Sequence, residues 1–180
     1  QATTAEGATN SGSVVVGTIT DTAAAIAAST NLVITNSAGA VTASDAATVA
    51  EATTIDAFAK AVVFAVSDTA TAIAASSDAA LDEATTVTAS TTATTAQADT
   101  IAAFSQAVVY NVSGTAAEIV AASAGARNEA VNITITGDAT IAQATTAEDA
   151  SNSGSVVVGT ISDTAAAIAA STNLVITNSA

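Results

Sequence analysis

The chain has 180 residues, of which 51 are Ala, 32 Thr and 18 Ser, and it contains no Cys, His, Met, Trp or Pro. Lys60 and Arg127 are its only cations against 16 carboxylates, a net charge of −14. This balance excludes disulfide, thiolate and imidazole chemistry, leaves too little positive charge for a nucleic-acid partner and opposes an anionic membrane surface.

Taken in chain order, the first strand-like segment runs into Asp21-Thr22-Ala23, and an Ala-rich helix follows to Ile26-Ala27-Ala28-Ser29. Leu32 to Asn36 reads as an extra strand, and Val41-Thr42-Ala43-Ser44 as a short one. Ile55, Phe58 and Val62 then fall at helical spacing. Val62 to Ser67 alternates, with Val62, Phe64 and Val66 on one face and Val63, Ala65 and Ser67 on the other. Asp68-Thr69-Ala70 opens a second Ala-rich helix, with Ala70, Ile73, Ala74, Leu81 and Ala84 along one stripe. Val87 to Ser90 is a strand, and Ile101, Phe104 and Val108 repeat the helical stripe. Val108, Tyr110 and Val112 oppose Val109, Asn111 and Ser113 in the next strand. Gly114-Thr115-Ala116 replaces Asp-Thr-Ala before the following helix, which reaches Ser123. Ile133 to Thr136 is again a strand, Ala147 and Ala150 stand where Ile and Phe stood before, and Ser151 to Gly154 reads as a loop. Asp163-Thr164-Ala165 opens the last helix. The longest apolar runs, such as Ala61 to Val66, fall far short of the ~18 residues that cross a bilayer. The start shows no basic segment leading into an apolar one, as a signal peptide would.

An internal duplication organises these elements. Residues 1–38 match 143–180 at 35 of 38 positions; only Gly7/Asp149, Thr9/Ser151 and Thr20/Ser162 differ. Residues 1–142 therefore form one full copy of a 142-residue unit, and 143–180 begin the next. We expect a window from a longer, highly repetitive protein. The Asp/Gly-Thr-Ala markers at 21, 68, 114 and 163 are spaced 47, 46 and 49 residues apart, giving subrepeats of approximately 14–60, 61–106 and 107–154. Each subrepeat holds two strand–helix halves of roughly 23 residues.

One-sided strands separated by Ala-rich helices predict an α/β repeat. The expected architecture is a right-handed β/α solenoid, its parallel sheet covered on one face by helices. Six strands per 142 residues would advance it by roughly 29 Å. An all-β repeat, a tandem array of small α+β domains and a propeller are the competing architectures.

The Asp-Thr-Ala-x-x-Ile pattern at Asp21 to Ile26, Asp68 to Ile73 and Asp163 to Ile168 resembles very large repetitive bacterial surface proteins, including cyanobacterial ones. The resemblance implies a secreted adhesin, a cell-surface layer or an extracellular fibre.

Chemistry has few carriers here. A nucleophile would need Lys60 or a carboxylate as its base, and Lys60 is expected at the end of a helix, favoured there by the dipole. Asp82-Glu83 and Glu148-Asp149 are sequence neighbours, which do not share a helix face. The nine glycines form no phosphate loop. No catalytic site is expected. Asp21, Asp68 and Asp163 recur at one turn of successive subrepeats, where stacked carboxylates would suit calcium; as helix N-caps they need no ion. Asn111-Val112-Ser113 and Asn132-Ile133-Thr134 are glycosylation sequons. Thr18, Thr20, Thr42, Ser44, Thr88, Ser90, Thr134 and Thr136 would line a sheet face able to meet glycan or ice, although Thr also suits any exposed strand. The leading expectation is a non-catalytic, self-associating structural protein of an extracellular filament, fibre or cell-surface layer, built by end-to-end stacking. The alternative is the extender or ligand-binding region of a large adhesin, stiffened by calcium or binding glycan through the Thr face.

Overall fold

The computed structural model describes residues 1, 4, 5, 7, 9, 12, 14–35, 37, 39–171 and 175. The chain is mixed α/β. Its elements are β1 (Ile19–Asp21), α1 (Ala23–Ala27), α2 (Asn31–Thr35), β2 (Val41–Ala47), α3 (Val49–Asp56), β3 (Val63–Asp68), α4 (Ala70–Ala74), α5 (Ala79–Asp82), β4 (Val87–Ala89), α6 (Thr95–Ile101), β5 (Val108–Val109), β6 (Val112–Thr115), α7 (Ala116–Ala121), α8 (Ala124–Asn128), β7 (Ile133–Ala139), α9 (Ile141–Glu148), β8 (Val156–Ile161) and α10 (Ala165–Ala170). The strands pair in chain order in two open sheets, one of five strands (β1 to β5) and one of three (β6 to β8). The pairing is parallel. Parallel neighbours require a crossover, and the short helices supply it.

Two compact units are distinguished, Gln1–Asp68 with Ser76–Val87, and Thr69–Ala75 with Thr88–Ala180. In the first, β1 pairs with β2 (Ile19↔Val41, Thr20↔Thr42, Asp21↔Ala43) and β2 with β3. Helix α1 packs on β2 and α3, and α3 packs on β3 and α5. Ile26, Ile34, Val41, Ile55, Phe64, Val66 and Leu81 fill the core. In the second unit β6, β7 and β8 pair in register from Val112↔Ile133 and Ile133↔Val156. There α4 packs on α6, α6 on α8, and α7 on α9. Ile73, Ile101, Tyr110, Ile119, Ile133 and Ile135 are buried among them. The Tyr110 hydroxyl donates to the Ala126 carbonyl at 3.0 Å, which satisfies the one polar atom that this ring carries inside. The β7–β8 register shifts between Ile135 and Asp138. Gly137 sits in that bulge with φ 76°, a left-handed conformation that glycine adopts without steric cost.

The one-sided strand pattern is borne out. Phe64 and Val66 are 2% and 1% exposed, whereas Val63 between Val62 and Phe64 is 49% exposed. Tyr110 and Val112 are buried while Val109 is 50% exposed. The helices exclude the all-β alternative.

Three local expectations are corrected. The extra strand at Leu32–Asn36 is instead helix α2 (Asn31–Thr35); Asn36 lies outside the described residues. Val33 and Ile34 are consecutive and both buried, which a one-sided strand cannot arrange and a helical turn can. Thr30 starts that turn, its hydroxyl accepting from the Val33 N–H at 3.4 Å. The single helix expected through Ala70 and Ala84 is broken into α4 and α5 around Ser76-Ser77-Asp78, residues whose side chains compete for backbone groups. Helices α3 and α6 end at Asp56 and Ile101, so Phe58 and Phe104 lie in the turns beyond and are only half-buried.

Truncating Phe64 to Ala is expected to cost about 3–5 kcal/mol, and Val63→Thr less than about 0.5 kcal/mol. Urea unfolding followed by circular dichroism measures both. Equal losses at the two neighbours would reject a sheet buried on one side only.

Candidate functional site: the helix-capping ladder and the threonine–valine face

The structural chemistry of the chain concentrates where each strand turns into its helix. Thr22, Thr48, Thr69, Thr94, Thr115, Thr140 and Thr164 are N-caps whose hydroxyls accept from the N–H three residues on, at 3.1–3.3 Å. Four are reciprocal capping boxes, closed by Glu51, Gln97, Glu118 and Gln143. A second acceptor comes from the following strand segment. Ala23 N–H donates to Asp45 at 2.7 Å, Val49 N–H to Asp68 at 3.0 Å, Ala70 N–H to Thr91 at 3.0 Å and Ile141 N–H to Asp163 at 3.0 Å. Each bond spans 19 to 22 residues and satisfies a first-turn N–H that a helix leaves without an internal partner.

This placement corrects the role expected of Asp21, Asp68 and Asp163. The N-cap is the following Thr in each case. Asp68 and Asp163 cap the helix one segment earlier, and Asp163 also accepts from Thr164 N–H at 2.7 Å. Asp21 accepts from Thr22 N–H at 2.8 Å. Among the described residues no group of three or more carboxylates is gathered as a metal site. Gly114, which replaces Asp in the third copy, has a spatial reason. A Cβ there would stand 3.1 Å from Thr95 Cγ2 and 3.3 Å from Glu118 Oε2.

Asn111 and Asn132 belong to a second ladder. Asn132 donates through its backbone N–H and its side-chain amide to Asn111 Oδ1, at 3.2 and 2.8 Å. Ser155 donates in turn to Asn132 Oδ1 through N–H and hydroxyl, at 2.9 and 3.1 Å. The Asn132 amide nitrogen, the atom a glycan would use, is thus engaged in the folded chain. Sequence reasoning missed this ladder; its signal was the recurrence of Asn and Ser at strand entries about 21–23 residues apart.

Both cations hold backbone oxygen. Lys60 lies beyond the end of α3 and donates to the carbonyls of Ser37 and Gly39, so its role is to tie a loop rather than to meet a helix dipole. Arg127 donates to the carbonyls of Ile119, Val120 and Ala122 at the end of α7. Burial pushes the Tyr110 phenol well above its ordinary value, and the negative charge of Glu129 and Asp99 adds to the effect. Glu118 is held below its ordinary value of 4.5, because the Thr115 backbone N–H and then its hydroxyl donate to the carboxylate.

In each unit the outer sheet face is small and polar with exposed valines. Thr18, Thr20, Ser44, Ser90 and Thr136 are exposed, and Thr42, Thr88 and Thr134 are half-buried. Register sets Thr42 beside Val63 and Thr134 beside Val157. Val15, Val63, Val109 and Val157 are exposed by 41–70%.

Compared with models of known protein families, with curated proteins and with solved structures, the chain matches none.

Removing the Asp68 carboxylate (Asp68→Ala) deprives the Val49 N–H of its acceptor and is expected to cost about 1 kcal/mol in urea unfolding. An unchanged midpoint would remove Asp68 from the ladder. Glu118 has a lowered pKa in the folded chain, so its contribution is present above pH 4.5 and is lost as pH falls through the folded value. Thermal melts should therefore show Glu118→Gln losing less stability than the parent chain below that pH. Gln closes the same capping box at Gln97 and Gln143.

Proposed function

We propose that the chain is a structural, non-catalytic component of an extracellular filament, fibre or cell-surface layer, a right-handed β/α solenoid extended by end-to-end stacking of its repeats. The observation that carries this reading is the cap bond reaching from one strand–helix segment to the next. It occurs at Ala23, Val49, Ala70 and Ile141 with nearly constant sequence separation. A helix whose first turn is completed by the following segment favours addition of another segment. The attachment of both cations to backbone carbonyls supports a structural over a catalytic use. Acidic, Thr/Ser-rich composition supports a surface location.

A second reading is a ligand-binding region of a large adhesin, and the pairing of Thr with exposed Val on the sheet of each unit favours it. Ordered threonine hydroxyls beside exposed valines offer hydrogen bonds and apolar area together, as a glycan or an ice lattice would require. Thr88→Tyr with Thr134→Tyr would abolish such binding and leave stacking intact.

Electron cryo-microscopy of the native material is expected to show filaments with an axial repeat of roughly 29 Å per 142-residue unit. Separate globular particles at every concentration would reject the filament and put the adhesin reading first.

A further inference from the structure

The caps that reach between segments come from two alternating positions, counted back from each N-cap Thr. Asp45 and Thr91 stand three residues before Thr48 and Thr94, whereas Asp68 and Asp163 stand one residue before Thr69 and Thr164. In the third subrepeat both positions are glycine. Gly114 precedes Thr115 where an acceptor for α6 would stand, and Gly137 stands three residues before Thr140 where an acceptor for α7 would stand. Neither has a side chain to accept a bond. Segment β6–α7 therefore gives no cap to the helix before it and receives none from the strand after it, alone among the described segments. Other groups hold α7. Arg127, in the last turn of α8, donates to the carbonyls of Ile119, Val120 and Ala122. The Thr115–Glu118 capping box closes the first turn from within the helix.

We propose that Arg127 is a latch on α7, and that α7 opens by itself, with the sheet beneath it intact, when this one side chain lets go. Three observations converge on it. The latch replaces a cap that every intact joint takes from the next strand, so no bond of that ladder has to break when α7 leaves. Strand β6 keeps its four paired positions with β7, which are separate from the helix. What remains is the cover over Ala116 and Ile119, 3% and 0% exposed, and a six-residue helix has little stability of its own. Openings of this size occur well below the free energy of global unfolding. A guanidinium shared among carbonyls is the strongest polar hold on α7, because bonds to a charged donor exceed neutral ones. The latch also guards a peptide bond. Only Lys60 and Arg127 offer a basic side chain to a protease of trypsin type, and Arg127 enters such a pocket only after it has released the α7 carbonyls. Opening of α7 and cleavage after Arg127 are thus one event. The inference does not depend on the filament reading, and the fate of that reading leaves it unchanged.

Native-state hydrogen exchange on the full chain, read by mass spectrometry, tests the latch. Helix α4 of the same unit is the reference, since it has a Thr cap of the same kind and keeps its second acceptor in Thr91. Arg127→Gln is expected to speed exchange in residues 116–122 roughly tenfold or more and to leave residues 70–75 unchanged. Thr91→Val, nearly the same shape without the acceptor, should do the reverse, speeding α4 about fivefold and sparing α7. A second measurement keeps Arg127 in place. Thr115→Val removes the N-cap of α7 and is expected to raise trypsin cleavage after Arg127 about fivefold, with cleavage after Lys60 unaltered, because cleavage follows the open population. Equal acceleration of α4 and α7 by Arg127→Gln would reduce Arg127 to general support and overturn the proposal. So would unchanged exchange in α7, or cleavage after Arg127 that ignores Thr115→Val.

Discussion

The bond on which the rest depends is the one between a first-turn backbone N–H and a side chain in the following segment. A helix of five to eight residues has little stability of its own, because nucleation is costly and few internal hydrogen bonds follow. Here the first turn is closed twice, by the Thr at its N-cap and by Asp45, Asp68, Thr91 or Asp163 from the next strand segment. Secondary structure and tertiary stacking are therefore one interaction. The strand that brings the acceptor also brings the Val, Ile or Phe that covers the helix, so burial and capping are gained together.

Small residues make the arrangement compatible with short segments. Ala at positions such as 52, 98 and 144 is fully buried in the middle of α3, α6 and α9, where a larger side chain would force neighbouring helices apart. Bulk is supplied by a few β-branched or aromatic residues, such as Ile55, Phe64, Ile101 and Tyr110. The outer face carries Thr and Val, both well suited to a pleated surface. This division of labour explains a composition dominated by three residue types.

Much of this was legible in the sequence, for identifiable reasons. Alternation at Val62 to Ser67 and Val108 to Ser113 identifies the buried strand face, because period-2 patterns have a single structural meaning. The recurrence of residues 1–38 at 143–180 is visible by inspection. What was not legible depends on contacts between distant residues. Nothing local shows that Asp68 caps Val49 rather than its own helix, since Asp before Thr-Ala fits either role. Leu32 to Asn36 has the composition of a strand, and the helix at Asn31–Thr35 shows only in the joint burial of Val33 and Ile34. Gly114 looks like decay of a motif until the side chains of Thr95 and Glu118 are seen beside it.

The attachment of Lys60 and Arg127 to carbonyl groups has an electrostatic consequence. Carbonyl oxygens are dipoles, so these contacts neutralise no carboxylate locally, and with a net charge of −14 the chain behaves as a polyanion. At about 0.15 M salt the screening length is about 8 Å, longer than the ~4.8 Å between strands, and each segment feels the charge of its neighbours. At about 1 M it contracts to about 3 Å, and each segment becomes electrostatically isolated. The approach of any other charged molecule to this chain is thereby tied to the salinity of its surroundings.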